Sequence, residues 1–214
     1  MEAAKPSRMR YGFGMSRFEE AIAAFDAANA EDPNRILVAG VSRPRELVQA
    51  ERLTAWVLRL APQASEVERL AARCQHLRRF AHPRSEFPEG RIGYLKWRTE
   101  LGRRHARAAE EILERVGYDA ASIAQVRRLN QKQGLHTDPS TQLIEDALCL
   151  VFLEHELEAF AAKHPSEKVA DILRKTWKKM SVAAHQQALR LPLPDELRAT
   201  VLLALAEPEQ DVAG

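Results

Sequence analysis

The chain has 214 residues, 45% of them apolar and 29% charged, with a formal net charge of +2. Those are the proportions of a globular protein; they exclude a polycation that binds nucleic acid non-specifically, and no apolar run approaches the roughly 20 residues a bilayer requires. The two cysteines, Cys74 and Cys149, fall inside helical patterns and the first residues carry charge without an apolar signal core, so a cytoplasmic protein with reduced thiols is expected.

Helical periodicity runs through nearly the whole chain. After an N-terminal segment, residues 1–15, with a glycine pair at Gly12 and Gly14, Ser16 and Glu19 form a capping box ahead of a first helix that stops before Pro33. Ile36 to Val41 is β-compatible but too short for a sheet, and it is expected to be a buried connection. A second helix starts near Pro44 and ends at Pro62, and a third, boxed by Ser65 and Glu68, is expected to reach Phe80. The irregular stretch HPRSEFPEGRIG that follows has the character of a lid. A fourth helix, about Tyr94 to Val116, ends at Gly117; a fifth runs from about Ala121 to Gln131. The sixth, opened by TDPSTQ, is apolar on all sides from Ala147 to Leu153. A seventh is expected over Ser166 to Leu189, then a short last helix and a polar tail, residues 206–214. The reading is all-α: a single-domain bundle of about eight helices over residues 16–205.

Three ionisable residues interrupt apolar stripes. His105 shares a stripe with Leu101, Ala108 and Ile112, Asp146 shares one with Leu143, Leu150 and Leu153, and His76 lies between Ala72 and Phe80. Burying such groups without partners costs several kcal/mol on the order of each, which points to one shared polar site. Two imidazoles and a carboxylate from three helices are ligand types for zinc, manganese or iron inside bundles. Around them the stretch from Arg73 to Lys132 is rich in arginine. Its segment GYLKWR offers Arg91, Lys96 and Arg98 to a phosphate or carboxylate, with Tyr94 and Trp97 as flat faces for stacking. No HExxH, CxxC pair, P-loop or GxGxxG is present.

LAARCQHLRRF, HARAAEEILERVGY and TQLIEDALCL resemble the layout of HD-domain metal-dependent phosphohydrolases. The resemblance implies an HD-like fold, with His76 as the histidine of the HD pair and Asp146 as the final aspartate. Leu77 stands where that family has its paired aspartate, and the second helix, ELVQAERLTAW, has no histidine; Glu46 or Glu51 would have to supply an oxygen ligand there. A closer resemblance covers about residues 16–160: FDAANAEDP, AARCQHLRRF, FPEGRIGYLKWR and IEDALCLVFLE resemble an uncharacterised family, domain of unknown function 4202.

The leading expectation is a metal-dependent phosphohydrolase acting on a phosphorylated or other anionic small molecule. His76, His105 and Asp146 would hold a divalent metal, Glu145 would act as base, and Arg73, Arg79, Arg91, Tyr94, Lys96 and Arg98 would bind substrate. The alternative is a non-catalytic helical module whose basic face takes a nucleotide, RNA or acidic partner.

Overall fold

Serine and glutamate three residues apart open two helices, as their spacing predicts. The computed structural model describes residues 14–206; the expected N-terminal segment up to residue 13, with Gly12, and the polar tail from residue 207 lie outside the described residues. In α1 (Arg17–Ala30) the Ser16 hydroxyl accepts from the Glu19 N–H, while the Glu19 carboxylate accepts from the Ser16 N–H at 2.7 Å. Each such cap contributes about 1 kcal/mol.

The run after α1 is a β-hairpin rather than a buried connection. Strands β1 (Arg35–Val38) and β2 (Val41–Pro44) pair antiparallel, with Val38 opposite Val41. Ala39 and Gly40 make the two-residue turn, with φ of 48° and 79°, the left-handed pair that matches strand twist. The hairpin projects into solvent, leaving Leu37 76% and Val41 61% exposed. Its base is held by buried Asp32, which accepts from the backbone N–H groups of Asn34 and Glu46. The run is indeed too short for a larger sheet, but the left-handed pair Ala39 and Gly40 at its centre folds it back on the residues that follow as an exposed two-stranded ribbon.

α2 (Arg45–Leu60) packs on α3 (Glu66–Cys74), whose capping box is Ser65 with Glu68. α3 ends at Cys74, not Phe80. Residues 75–78 form turns, Arg78 adopts a left-handed φ of 54°, and its N–H donates to the Asn29 side chain of α1 at 3.0 Å. α4 (Gly90–Val116) begins four residues earlier than expected and is capped by Gly117 at φ 90°. Gly93 is required in its first turn, since a Cβ there would sit 1.9 Å from the Pro88 carbonyl oxygen. α5 (Ala120–Asn130) lies against α3 and α4.

Central α6 (Pro139–His155), capped by Asp138, packs on α2 and carries the fully buried Ile144 and Leu150. α7 (Leu157–Ala161) continues it after one break. The single long seventh helix is in fact two, α8 (Ser166–Trp177) and α9 (Val182–Ala188), parted where Ser181 caps α9. α10 (Asp195–Ala206) closes the bundle against α8. Ten helices are thus present among the described residues, an all-α bundle whose two-stranded hairpin is its sole sheet there, and no helix is long and apolar enough to cross a membrane.

Candidate functional site

A cavity of about 710 Å³ opens between α4, the turn after α3 and the turn after α5. That size suits a small molecule. The break after Cys74 supplies one wall with Gln75, His76 and Arg79; α4 supplies Tyr94, Trp97, Arg98 and His105; the end of α5 supplies Asn130 and Lys132.

His105 is buried, and its Nδ1 lies 2.6 Å from the Leu77 carbonyl oxygen. A carbonyl can only accept, so Nδ1 carries the proton and Nε2 is left as a lone pair, buried and without a partner among the described residues. Burial, reinforced by the charge of Arg79 and opposed by the Leu77 bond, pushes the ring down to about 4, so it is neutral at physiological pH. The His76 ring stands 5.9 Å away, centroid to centroid. It too is held well below its ordinary value, first by burial and then by the positive charges of Arg79, Lys132 and Arg98.

The cavity wall is cationic. Arg79, Arg98, Arg103 and Lys132 line it, together with no aspartate or glutamate. Arg79 and Arg98 make no ion pair among the described residues; they lie over the aromatic faces of Trp97 and Tyr94, 5.7 Å and 5.8 Å from the ring centroids. Trp97 is fixed by donating from Nε1 to the His82 carbonyl at 3.0 Å. The arginine-rich stretch is otherwise largely neutralised: Arg73 pairs with Asp26, Arg78 with Glu31, Arg104 with Glu100, Arg107 with Glu111, Arg127 with Glu110 and Arg128 with Asp138.

Asp146 stands apart from the two histidines. Its Oδ1 accepts from the Ser181 N–H at 2.8 Å and from Gln142 at 2.9 Å, and its Oδ2 accepts from the Ser181 hydroxyl at 2.5 Å. The carboxylate therefore ties α6 to the start of α9, and its burial is answered by three donors. The three residues expected as one ligand set do not form one, and no group of three or more His, Cys, Asp or Glu among the described residues is arranged to hold a metal ion. The donor set does not fit a divalent cation on electrostatic grounds either, because the charges around the imidazoles are positive. Asp146→Ala is expected to lower stability by about 2 kcal/mol through the lost bonds to Ser181. Urea denaturation measures this; unchanged stability would contradict the structural role.

Glu145 is also buried, behind the wall: its Oε2 lies 2.5 Å from Lys132 Nζ and its Oε1 3.8 Å from Lys179 Nζ. The Lys132 contact is an ion pair by distance without hydrogen-bond geometry. A carboxylate engaged by two ammonium groups and absent from the lining is not placed to act as base on a ligand in the cavity. Of the expected binding residues, Arg79, Tyr94 and Arg98 line this cavity, and Arg73 is held by Asp26 at 2.6 Å. Lys96 lines a second, shallower hollow of about 510 Å³ with Phe87 and Arg104, and Arg91 lines neither. The expected lid does not cover the site. His82 is bonded to Trp97 and Arg104 of α4, and Arg84 donates to the Phe87 and Pro88 carbonyls, so the segment is tied down beside α4.

Glu46 and Glu51 join no ligand group either: Glu51 forms a two-pronged pair with Arg43, and buried Glu46, at the start of α2, has a carboxyl raised by burial against the opposing charge of Arg79. Both cysteines are free and buried, with thiols pushed up by burial to about 12. Periodicity overlooked Gln75, Asn130 and Lys132; the one available signal was the polar run NQKQG at the end of α5, which reads equally well as a helix stop.

No curated protein and no solved structure matches this chain. The profile of the domain of unknown function DUF4202 matches residues 19–201, a span that takes in every residue of the cavity, and the chain belongs to that family.

Proposed function

We propose that the protein binds a phosphorylated or otherwise anionic small molecule in the cavity between α4 and the turns after α3 and α5. The observation that carries this reading is the lining itself, in which four cationic side chains occur with no carboxylate. Arg79 and Arg98 matter most, since neither is held in an ion pair among the described residues, whereas Arg73, Arg78, Arg104, Arg107, Arg127 and Arg128 each are. That contrast favours an enclosed ligand over an extended nucleic acid on the open face. Guanidinium groups beside aromatic faces in a partly enclosed, low-dielectric cavity hold phosphate oxygens more strongly than the same groups in water.

A metal-dependent hydrolysis is not the reading the geometry favours. Only His76 and His105 meet, and their surroundings repel a divalent ion. What the pair offers a bound anion is a neutral, proton-poor surface.

Calorimetric titration with inorganic pyrophosphate tests the proposal. Binding is expected at low ionic strength, to weaken as salt rises, and to fall about tenfold in each of Arg79→Gln and Arg98→Gln, the worth of one charged hydrogen bond. Arg73→Gln, which disturbs only the pair with Asp26, is expected to leave the affinity unchanged. Affinity indifferent to both cavity arginines would refute the assignment.

A further inference from the structure

The same cavity holds a second set of groups with the opposite preference. Gln75, His105 and Asn130 are 4%, 3% and 5% exposed, and each presents one buried polar atom without a partner among the described residues: Gln75 Oε1, His105 Nε2 and Asn130 Oδ1. All three are acceptors. Gln75 Nε2 donates to the Asn130 carbonyl at 3.1 Å, which fixes the glutamine amide with its oxygen free. Asn130 Nδ2 donates to Cys74 Sγ at 3.1 Å, and that thiol is directed at the Ala71 carbonyl, so the asparagine oxygen is free as well. His105 Nε2 is a lone pair because Nδ1 donates to Leu77.

Unanswered buried acceptors cost about 1–3 kcal/mol each, and three on the wall of one cavity mark a place where donors are supplied from outside the chain. From this cluster we infer that the ligand is a phosphate monoester whose neutral end carries adjacent N–H or O–H donors, seated against Gln75, His105 and Asn130 while its phosphate meets Arg79 and Arg98. The inference rests on the anion-binding reading above and adds the chemistry of the ligand's other end. The three atoms are buried within residues that line the cavity, so engaging them takes a side-chain adjustment in the wall, the usual scale of change on binding. Two sources share this chemistry: a sugar, whose hydroxyls donate, and a base edge such as that of guanine, whose ring N–H and amino group donate side by side. Tyr94 and Trp97, on the same wall, present flat faces to either.

Four probes separate the cases by calorimetry: methyl phosphate, ribose 5-phosphate, inosine 5′-monophosphate and guanosine 5′-monophosphate. At least one donor-bearing probe is expected to bind tenfold or more tightly than methyl phosphate. A gain at ribose 5-phosphate that the nucleotides do not exceed identifies the sugar; a further gain from inosine to guanosine identifies the base edge, through its amino group. Gln75→Met is expected to reduce the preference, read as the ratio of the donor-bearing probe's affinity to that of methyl phosphate in the same variant. In the unmodified protein, the ¹⁵N resonance of His105 Nε2 is expected to move on adding the preferred probe and to stay put with methyl phosphate, a readout independent of any variant's folding. Methyl phosphate binding without a tenfold gain at any other probe overturns the inference and leaves the anion site standing. No binding by any of the four overturns both.

Discussion

Replacing Lys132 with methionine is expected to lower the free energy of unfolding by about 3 kcal/mol, the low end of the range for removing one partner of a buried ion pair. Glu145 is 3% exposed, and its nearer cation is Lys132 at 2.5 Å. Taking that ammonium away leaves a carboxylate in the interior with Lys179, 3.8 Å from its other oxygen, as the remaining counter-charge. Lys179 keeps the effect from being larger. The double variant Lys132→Met with Glu145→Gln is expected to recover most of the loss, because the penalty belongs to the unpaired charge and not to the missing contact. Urea denaturation of both variants measures this, and a single variant within about 0.5 kcal/mol of the parent would show that the pair is structurally idle. Lys132 also lines the cavity, so its charge serves two neighbours at once: a fixed carboxylate behind it and, on the proposed reading, an anion in front.

Acidification between pH 6.5 and about pH 4 is expected to remove about 3 kcal/mol of stability through His105 alone. Its ring titrates near 4 in the folded protein against 6.5 ordinarily, because it is buried and faces Arg79. In that window the unfolded chain takes up a proton that the folded chain refuses, so stability is complete above pH 6.5 and falls as the pH drops. Each unit of displacement corresponds to about 1.4 kcal/mol. His76 is displaced in the same direction and adds to the loss. Carboxylates elsewhere also respond to acid, so the decisive quantity is the stability difference between the parent and His105→Gln. That difference is expected to shift in the variant's favour between pH 7 and pH 4.5, and a constant difference would mean that His105 does not titrate as its surroundings dictate. Saturating phosphate is expected to narrow the window, since a bound anion favours the protonated rings.

The helices were legible in the sequence wherever their ends are written in side chains. Ser16 with Glu19, Ser65 with Glu68, Gly117 and Asp138 with Pro139 each stop or start a helix by a local bond or a φ that the residue type announces. The ends that were missed depend on tertiary partners. α3 stops at Cys74 because Asn29, 49 residues before Arg78, accepts the Arg78 N–H, and no window around Phe80 contains that information. The break before α9 was hidden for the same reason: Ser181 was a legible cap only with Asp146 known to face it. Half of the candidate site followed from residue type. His105, from its apolar stripe, and His76, mainly from the family resemblance, do meet, whereas Asp146, with the same periodic signature as His105, answers a helix cap instead. Periodicity reports that a polar group is buried; it does not report which of several interior neighbours answers it.

The interruption after α3 reaches further than the shape of the bundle. Had the helix run on to Phe80, the Leu77 carbonyl would have been taken by the N–H of Ala81; in this fold the Ala81 N–H goes to Arg78, and Leu77 is left to receive Nδ1 of His105. A single left-handed backbone position at Arg78 thereby chooses which nitrogen of a ring 27 residues later holds its proton. The protonation pattern of that ring is written in main-chain conformation, so a survey of side-chain replacements around His105 would pass over its main determinant, while one β-branched residue at position 78, which resists positive φ, is expected to free the ring from the Leu77 carbonyl and to shift the wall that carries Arg79.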